Sequence, residues 1–260
     1  MKKIIALAAA AVLAVSAPVT GFAGVNSALV TNKKIYTTKE YQSRKFTYST
    51  AIVKTNKKAA DKKEYISVDI SYPKITGTAT NVTDFNAANA ADFRAEGKAF
   101  VDKYTKEAKE YHQTNPTSAK ADIPYSLKIE YSMKFNKDSV ISVLYTRTTV
   151  VAGVKTTEQW TTNYDFVKGG ELSVDDVSII PEKGETMELV LDAYAKKIRN
   201  SKKIYFKDAK VTEEDIHFYF DDESITFFVN PGLIADASRG SVTYKLLDDA
   251  AETYLRTRGQ

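Results

Sequence analysis

The fold is decided by the stretch PYSLKIEYSMKFNKDSVISVLY, residues 124–145. From Tyr125 to Phe135 apolar and polar side chains alternate, and this period of two is typical of a β-strand that buries one face. Asn136-Lys137-Asp138 provides a short turn, and a second β-rich run follows from Ser139 to Val150. The stretch therefore predicts an antiparallel hairpin.

The elements around this hairpin complete a mixed pattern of strands and helices. Downstream, Ala152-Gly153 turns the chain into a third strand over 155–166, which makes a meander. Upstream, strand-like runs at 46–53 and 66–72 precede an apolar stripe at helical spacing over 85–111. The later elements are a helix (185–200), a hairpin (216–230), a strand (242–246) and a terminal helix (248–258). This order predicts an α+β protein with antiparallel sheets packed by amphipathic helices, in two associated subdomains.

The N-terminus has the pattern of a secretory signal peptide. Lys2-Lys3 form a basic start, an apolar run extends from Ile4 to Val15, and Gly21-Phe22-Ala23 matches a small-x-small cleavage site. The apolar run is shorter than the roughly 18 to 20 residues that a membrane-spanning helix needs. We therefore expect a signal peptide over 1–23, cleavage near Ala23, and export to the periplasm, the cell surface or the medium. Retention of the segment as an anchor is the alternative.

The rest of the sequence contains no second apolar stretch of membrane length, so no transmembrane helix is expected in the mature chain. A polar run between Asn115-Pro116 and Pro124 interrupts the pattern of strands and helices. We expect this run to separate an N-terminal strand-strand-helix subdomain, 24–120, from a C-terminal α+β subdomain, 121–260.

Few residues are available for catalysis or metal binding. The chain has no cysteine and two histidines, which excludes thiolate nucleophiles, disulfides and an HExxH zinc motif. Neither His112 nor His217 has the sequence context of a catalytic triad. Acidic clusters at 175–176, 213–215 and 221–223 lie in predicted turns or caps, where Asp and Glu serve the backbone. We therefore expect a non-enzymatic protein without catalytic residues, metal or cofactor. The alternative is a cell-wall glycan hydrolase or esterase that uses a carboxylate pair.

The charge pattern argues against a nucleic-acid partner. Lysine and arginine number 37 against 33 acidic residues, for a net charge of +4 at pH 7. The basic residues form short clusters interrupted by acids rather than a one-sided stripe. Weak attraction to anionic cell-wall polymers is the remaining electrostatic interpretation.

Aromatic side chains offer a candidate binding surface. Tyr145, Trp160 and Tyr164 lie on the two strands joined by the Gly153 turn. Such rings bind sugars and proteins, but they also pair across strands, and both interpretations stay open at this point.

The segment NPGLIADASRG, residues 230–240, combines turn residues with an apolar centre. Pro231-Gly232 ends a strand, and we expect Leu233 and Ile234 to plug into the sheet-helix core. This loop and the Gly153 turn are predicted to form one surface. The candidate binding residues are Tyr145, Arg147, Gly153, Trp160, Tyr164, Pro231, Leu233, Ile234, Arg239 and Gly240.

Several short motifs resemble a known family. They are SYPKITG at 71–77, Asn86 near the start of the long helix, and Asn163-Tyr164-Asp165-Phe166 before a Gly turn. The last motif matches through Pro231, Ile234, Ala235 and Gly240. Together they are similar to the extracytoplasmic region shared by RsiV-type anti-sigma factors and PdaC-type polysaccharide deacetylases, over nearly all of the mature chain.

The resemblance implies a binding module of the bacterial cell envelope whose partner is a cell-wall glycan or a lysozyme-like protein. The chain departs from the family at three places. The family's Gly-Gly-Ala-His is Val151-Ala152-Gly153-Val154, without the histidine, and Gly232 and Ala237 replace the two tyrosines of the final motif. If those groups contribute to recognition in the relatives, the partner of this chain differs.

Overall fold

The computed structural model describes residues 45–79, 81–115, 123–177, 186–201, 203–222, 224–246 and 254–255. The predicted signal peptide and most of the predicted terminal helix lie outside these residues. The strands are β1 (Thr47–Lys58), β2 (Glu64–Thr76), β3 (Tyr125–Lys137), β4 (Val140–Val151), β5 (Val154–Asp165), β6 (Gly170–Glu171), β7 (His217–Phe220), β8 (Ile225–Val229) and β9 (Val242–Leu246). The helices are α1 (Val82–Thr114) and α2 (Thr186–Asn200), with short 3₁₀ turns at Asp175–Val177, Glu213–Asp215 and Ala237–Arg239.

Strands β1 to β6 form one mixed sheet in sequence order. Neighbouring strands are antiparallel except β2 and β3, where residues 67–70 pair in parallel with residues 126–129. A parallel pair needs a long crossover connection, and α1 provides it. The α+β class and the predicted meander are confirmed. The sheet is mixed rather than wholly antiparallel, which side-chain alternation cannot reveal because it is the same in both kinds of pair.

Helix α1 packs on one face of β1, β2 and β3. Its buried stripe includes Phe85, Phe93 and Phe100. At Gly97 the helix comes so close that a Cβ atom would lie 3.2 Å from Val68 Cγ1. Because α1 covers mainly this half of the sheet, the same face of β5 is left partly exposed.

Strands β7, β8 and β9 form a second, antiparallel sheet, which shares a separate apolar core with α2. Backbone groups of β7 join it to the large sheet: Phe220 N donates to Ser142 Oγ over 3.0 Å, and Asn163 Nδ2 donates to Phe218 O over 2.7 Å. Ser142 and Asn163 alternate along their strands with residues that face α1. The small sheet therefore packs on the face of the large sheet opposite α1.

Two of the family-like motifs hold loops in place. Asn86 Oδ1 accepts from Ile75 N over 2.9 Å, and its Nδ2 donates to Ile75 O over 2.8 Å, so α1 clamps the end of SYPKITG. Asp165 Oδ1 accepts from Val167 N over 2.7 Å, and its Oδ2 accepts from Tyr254 OH over 2.9 Å. These side chains act as substitutes for regular backbone pairing where strands end.

The predicted subdomain boundary at residue 120 lies between strands of one sheet, since β1 and β2 precede it and β3 to β6 follow it. Two apolar cores are nevertheless distinct, one beneath α1 and one between α2 and the small sheet. The boundary itself stays a prediction. Among the helices that the structure describes, none is long and apolar enough to cross a membrane.

Candidate functional site

A polar surface lies over β5, between the flank of α1 and strand β6, on the side of the large sheet that faces α1. Trp160 and Thr162 form its floor, because residues two apart on a strand share a face. On β6, Glu171 pairs with Tyr164 of β5 and bounds one side, and a flank of α1 bounds the other. We call this surface the acidic groove and define it by Asp92, Glu96, Trp160, Thr162 and Glu171.

Arg147 of β4 links α1 to β5 at one end of the groove. Its Nη1 donates to Glu96 Oε1 over 2.9 Å, and its Nη2 donates to Glu158 Oε2, on the residue directly opposite. Although desolvation opposes it, bonding to Glu158 and then to Glu96 raises the pKa of Arg147. One guanidinium thus donates hydrogen bonds to two carboxylates.

The aromatic floor of the groove is a cross-strand stack. Tyr145 and Trp160 lie opposite each other with ring centroids 5.2 Å apart and an interplanar angle of 17°. Phe93 of α1 packs against Tyr145 at 5.2 Å, and Arg147 Cζ lies 5.6 Å from the Trp160 ring. Tyr145 is 1% exposed, so its ring is part of the core and pairs across the strands, which is one of the two interpretations that its sequence left open. Its burial raises the pKa of its phenol above the usual range.

The flank of α1 presents Asn89, Asp92 and Glu96 on successive turns. Residues three or four apart on a helix share a side, and the Glu96–Arg147 contact fixes that side toward β4 and β5. Burial raises the pKa of Glu96 even though Arg147 opposes the shift. The helix therefore carries a row of polar side chains directly beside its apolar stripe, on the side that faces β4 and β5.

Glu171 and Asp92 are a pair of carboxyls with unusual electrostatics. Desolvation, and secondarily the charge of Asp92, raises the pKa of Glu171 to about 7, and desolvation raises the pKa of Asp92. Glu171 as a residue is exposed, yet its carboxyl group is desolvated. The two carboxyls therefore lie close enough for the charge of Asp92 to oppose the ionisation of Glu171.

Three buried polar atoms around the groove have no hydrogen-bond partner within the described part of the chain. They are Asn89 Nδ2, Glu96 Oε2 and Tyr145 Oη. Buried polar groups are nearly always paired, and unpaired ones that cluster at one place are typical of a site that a ligand completes.

The structure brings together four of the predicted binding residues. Tyr145, Arg147, Trp160 and Tyr164 all lie on the face of the large sheet toward α1. Tyr164 is buried against Phe85, with ring centroids 5.0 Å apart, and does not reach the groove surface.

Gly153 lies elsewhere, in the turn at the end of β4 and β5, where its φ of +80° suits glycine. Strand β4 ends at Val151, four residues beyond Arg147, which at about 3.3 Å per residue places the turn roughly 13 Å or more along the strand from Arg147. The Gly153 turn is therefore remote from the groove.

The loop over 230–240 also lies away from the groove. Asn230 Oδ1 accepts from Gln159 N over 2.6 Å, and Ser241 Oγ donates to Gln159 Oε1 over 2.5 Å. The side chain of Gln159 points to the opposite face from that of its neighbour Trp160. Pro231, Arg239 and Gly240 belong to this loop. The prediction that the loop and the aromatic residues form one surface is therefore wrong.

Of the two apolar residues at the centre of the loop, one is buried in the core and the other is partly exposed. Ile234 is fully buried, and its carbonyl accepts from Phe206 N over 2.9 Å. Leu233 is 36% exposed, so the expectation that both residues plug into the core is wrong for Leu233. Gly232, with a φ of +85°, turns the chain immediately before it.

The sequence interpretation missed Asp92, Glu96 and Glu171. Asn89 was the available signal, because it interrupts the apolar stripe of α1 with a polar group that must face the sheet. The apolar spacing identifies that face but not what lies across from it. Glu171 belongs to a two-residue strand, which has no periodicity to recognise.

The acidic clusters that the sequence places in turns have structural partners. Asp176 Oδ2 accepts from Ser173 N over 2.9 Å, and Asp221 Oδ1 accepts from Ser224 N over 2.7 Å. The described residues bring together no group of three or more side chains suited to hold a metal ion.

Comparison with known proteins agrees with this fold. Residues 59–149 match a family described as Deacetylase PdaC, and no curated protein matches the chain. A solved structure of a DUF3298 family member from Bacteroides fragilis is similar, with a TM-score of 0.56, 15% sequence identity, and coverage of 80% of this chain and 92% of that chain. A DUF3298 family protein from Pseudomonas aeruginosa aligns with a TM-score of 0.49 and 12% identity, over 80% of this chain and 96% of that chain.

The matched segment begins directly after β1 and ends within β4, and so includes α1 with Asp92 and Glu96, and Arg147 of β4. Strand β5 and Glu171 follow it in sequence. The chain therefore carries, over residues 59–149, a segment similar to the PdaC family, and its fold is similar to that of the DUF3298 family member from Bacteroides fragilis.

Proposed function

We propose that this chain is an exported, non-enzymatic binding module of the bacterial cell envelope that recognises a glycan through the acidic groove. The signal-peptide pattern of residues 1–23 supports export. The observation that carries the proposal of a polar ligand is the cluster of unpartnered atoms, Asn89 Nδ2, Glu96 Oε2 and Tyr145 Oη, beside the Asp92 and Glu171 carboxyls.

Glycans suit this set of groups because each sugar hydroxyl both donates and accepts a hydrogen bond. Asn89 supplies a donor, the carboxylates supply acceptors, and the Tyr145 hydroxyl supplies either. The stack of Tyr145 on Trp160 holds the floor rigid, and a preformed site loses little entropy on binding. Binding sites of this kind combine an apolar floor with a few placed polar groups.

Trp160 is the only tryptophan of the chain, so its fluorescence reports on the groove. We expect N-acetylglucosamine hexamer and purified peptidoglycan to change this fluorescence and to bind in calorimetry and sedimentation. Asp92→Asn and Glu171→Gln should weaken binding. Asp102→Asn is the matched control, because Asp102 lies on the same helix but pairs with Lys98 at the exposed surface.

Two results contradict the proposal. The first is the absence of binding to either ligand, with unchanged Trp160 fluorescence. The second is retention of the chain on immobilised lysozyme but not on glycan, which would make a lysozyme-like protein the partner that the family resemblance implies.

A second candidate, hydrolysis of a wall glycan, is favoured by the raised pKa of Glu171, about 7, beside Asp92. A glycosidase uses one protonated and one ionised carboxyl across the scissile bond. This candidate predicts release of reducing ends from the hexamer, and loss of that release in Glu171→Gln. Intact hexamer after prolonged incubation with the wild-type protein would dismiss it.

A further inference from the structure

The strongest unexplained feature is the charge of the acidic groove. The charged groups that α1, β4, β5 and β6 bring around it are Asp84, Asp92, Glu96, Arg147, Glu158 and Glu171. Five of these are carboxyls and one is a guanidinium, whereas the chain as a whole carries a net charge of +4. The groove is thus opposite in sign to the molecule.

Arg147 cannot neutralise the middle of the groove, because it already bonds Glu96 and Glu158. Among the ion pairs of the described residues, none involves Asp92 or Glu171. Each of these two carboxyls is desolvated, and Asp92 opposes the ionisation of Glu171. Carboxyls that repel one another in this way are stabilised by a cation placed between them.

The hydroxyl of Tyr145 is an independent sign of a ligand here. The side chain is 1% exposed and the hydroxyl has no partner within the described residues. Tyr145 and Glu171 lie on the same face of the large sheet, because Tyr145 is opposite Trp160 and Glu171 is opposite Tyr164, four residues along the same strand. The Tyr145 hydroxyl can accept a hydrogen bond from a donor that the two carboxylates hold.

An ammonium group fits these three groups. It is compact, carries one positive charge and offers three donors and no acceptor, which matches two carboxylates and one hydroxyl oxygen. A metal ion fits less well, because the described residues offer no group of three or more suitable ligands. On a glycan, the group with this chemistry is the free amine of an amino sugar.

We propose that Asp92, Glu171 and the Tyr145 hydroxyl form a subsite for the primary ammonium group of an amino sugar, so that the groove prefers a glycan with free amines to the same glycan with acetylated amines. This inference rests on the proposed function of glycan binding. Charge-assisted hydrogen bonds are about twice as strong as neutral ones, so the preference is expected to be roughly tenfold or more.

The experiment compares glucosamine hexamer with N-acetylglucosamine hexamer, by calorimetry and Trp160 fluorescence, at several pH values around neutrality, where the amines and the Glu171 carboxyl, whose pKa is about 7, are both charged in part. The wild type should bind the glucosamine hexamer roughly tenfold more tightly or better. Asp92→Asn and Glu171→Gln should each reduce this ratio toward one while still binding the acetylated hexamer. Asp102→Asn should keep the wild-type ratio, which controls for a general effect of protein charge.

Each other outcome overturns the inference in a distinguishable way. Equal affinity for both hexamers, or a preference for the acetylated one, removes the ammonium subsite and leaves glycan binding intact. Failure of both hexamers to bind overturns the proposed function as well. A trilysine peptide that binds as tightly as the glucosamine hexamer, with the same loss in the two variants, overturns the assignment to an amino sugar.

Discussion

Replacing Arg147 by methionine tests how the groove is held together. The variant Arg147→Met keeps an apolar side chain of similar length but removes the guanidinium that bonds Glu96 and Glu158. Arg147 and Glu96 have side chains that are 18% and 16% exposed. Glu96 Oε2 has no partner in the described structure, so the variant would leave a largely buried carboxylate without a partner on either oxygen.

Breaking a buried ion pair by removing one partner costs about 3 to 5 kcal/mol. Because both side chains retain some exposure, solvent screens part of this cost. We therefore expect the free energy of unfolding to fall by about 2 to 3 kcal/mol at mildly alkaline pH.

The cost also depends on pH. Burial already raises the pKa of Glu96, and loss of Arg147 removes the group that opposes this shift. A carboxyl whose pKa is higher in the folded state binds protons more strongly there, so its contribution to stability is present at acid pH and is lost as the pH rises through the folded pKa. The difference between variant and wild type should be small below the ordinary pKa of Glu96, 4.5, and should grow as the pH rises above it.

Urea unfolding followed by circular dichroism at several pH values measures this difference. The control Lys98→Met breaks the exposed pair of Lys98 with Asp102, whose side chains are 77% and 58% exposed, and should cost less than about 1 kcal/mol. The double variant Glu96→Gln with Arg147→Met should recover part of the loss. A loss in Arg147→Met that equals that of Lys98→Met, or that does not change with pH, would refute the reasoning.

Three further predictions concern single side chains. Asn86→Ala removes both hydrogen bonds to Ile75 and should cost about 2 kcal/mol in urea unfolding, whereas Asn86→Asp keeps the acceptor and should cost less. Gly77→Ala places a Cβ 2.6 Å from Phe46 Cδ1, and the displacement of this buried ring should cost about 1 to 3 kcal/mol and lower the melting temperature. In the wild type, the stability that protonated Glu171 contributes is lost as the pH rises from the ordinary pKa of 4.5 through about 7. Glu171→Gln should therefore have a higher melting temperature than the wild type above neutral pH and should lose this advantage in acid. A constant difference between the two melting temperatures across that range would contradict this prediction.

Much of the fold follows from periodicity in the sequence. Strand β3 alternates regularly, the runs of β4 and β5 are rich in β-formers, and α1 keeps its apolar stripe except at Asn89; the structure confirms all four elements. Gly97, which has no side chain, allows the close approach of α1 to β2. The parallel join of β2 and β3 was not predictable, because it depends on which end of the sheet the crossover reaches and not on local alternation.

The groove was harder to predict because its parts come from distant segments. Asp92 and Glu96 lie on α1, whereas Glu171 lies on the short strand β6. Trp160 and Tyr145 were recognised, since both lie on strands with clear patterns. The 230–240 loop was misplaced for a related reason: its sequence shows where a turn occurs but not which face of the sheet Asn230 joins.

The parallel join between β2 and β3 has a consequence for the order of folding. The meander β3 to β5 closes through short turns, whereas the pairing of Ile70 with Ile129 must close a loop that contains the whole of α1. Long loops cost more chain entropy to close, and non-local pairing is slow. We expect the meander to gain protection from hydrogen exchange first and to offer β3 as the edge on which β2 and α1 assemble. Because Asp92 and Glu96 arrive with α1, the ligand site would be completed only in this late step.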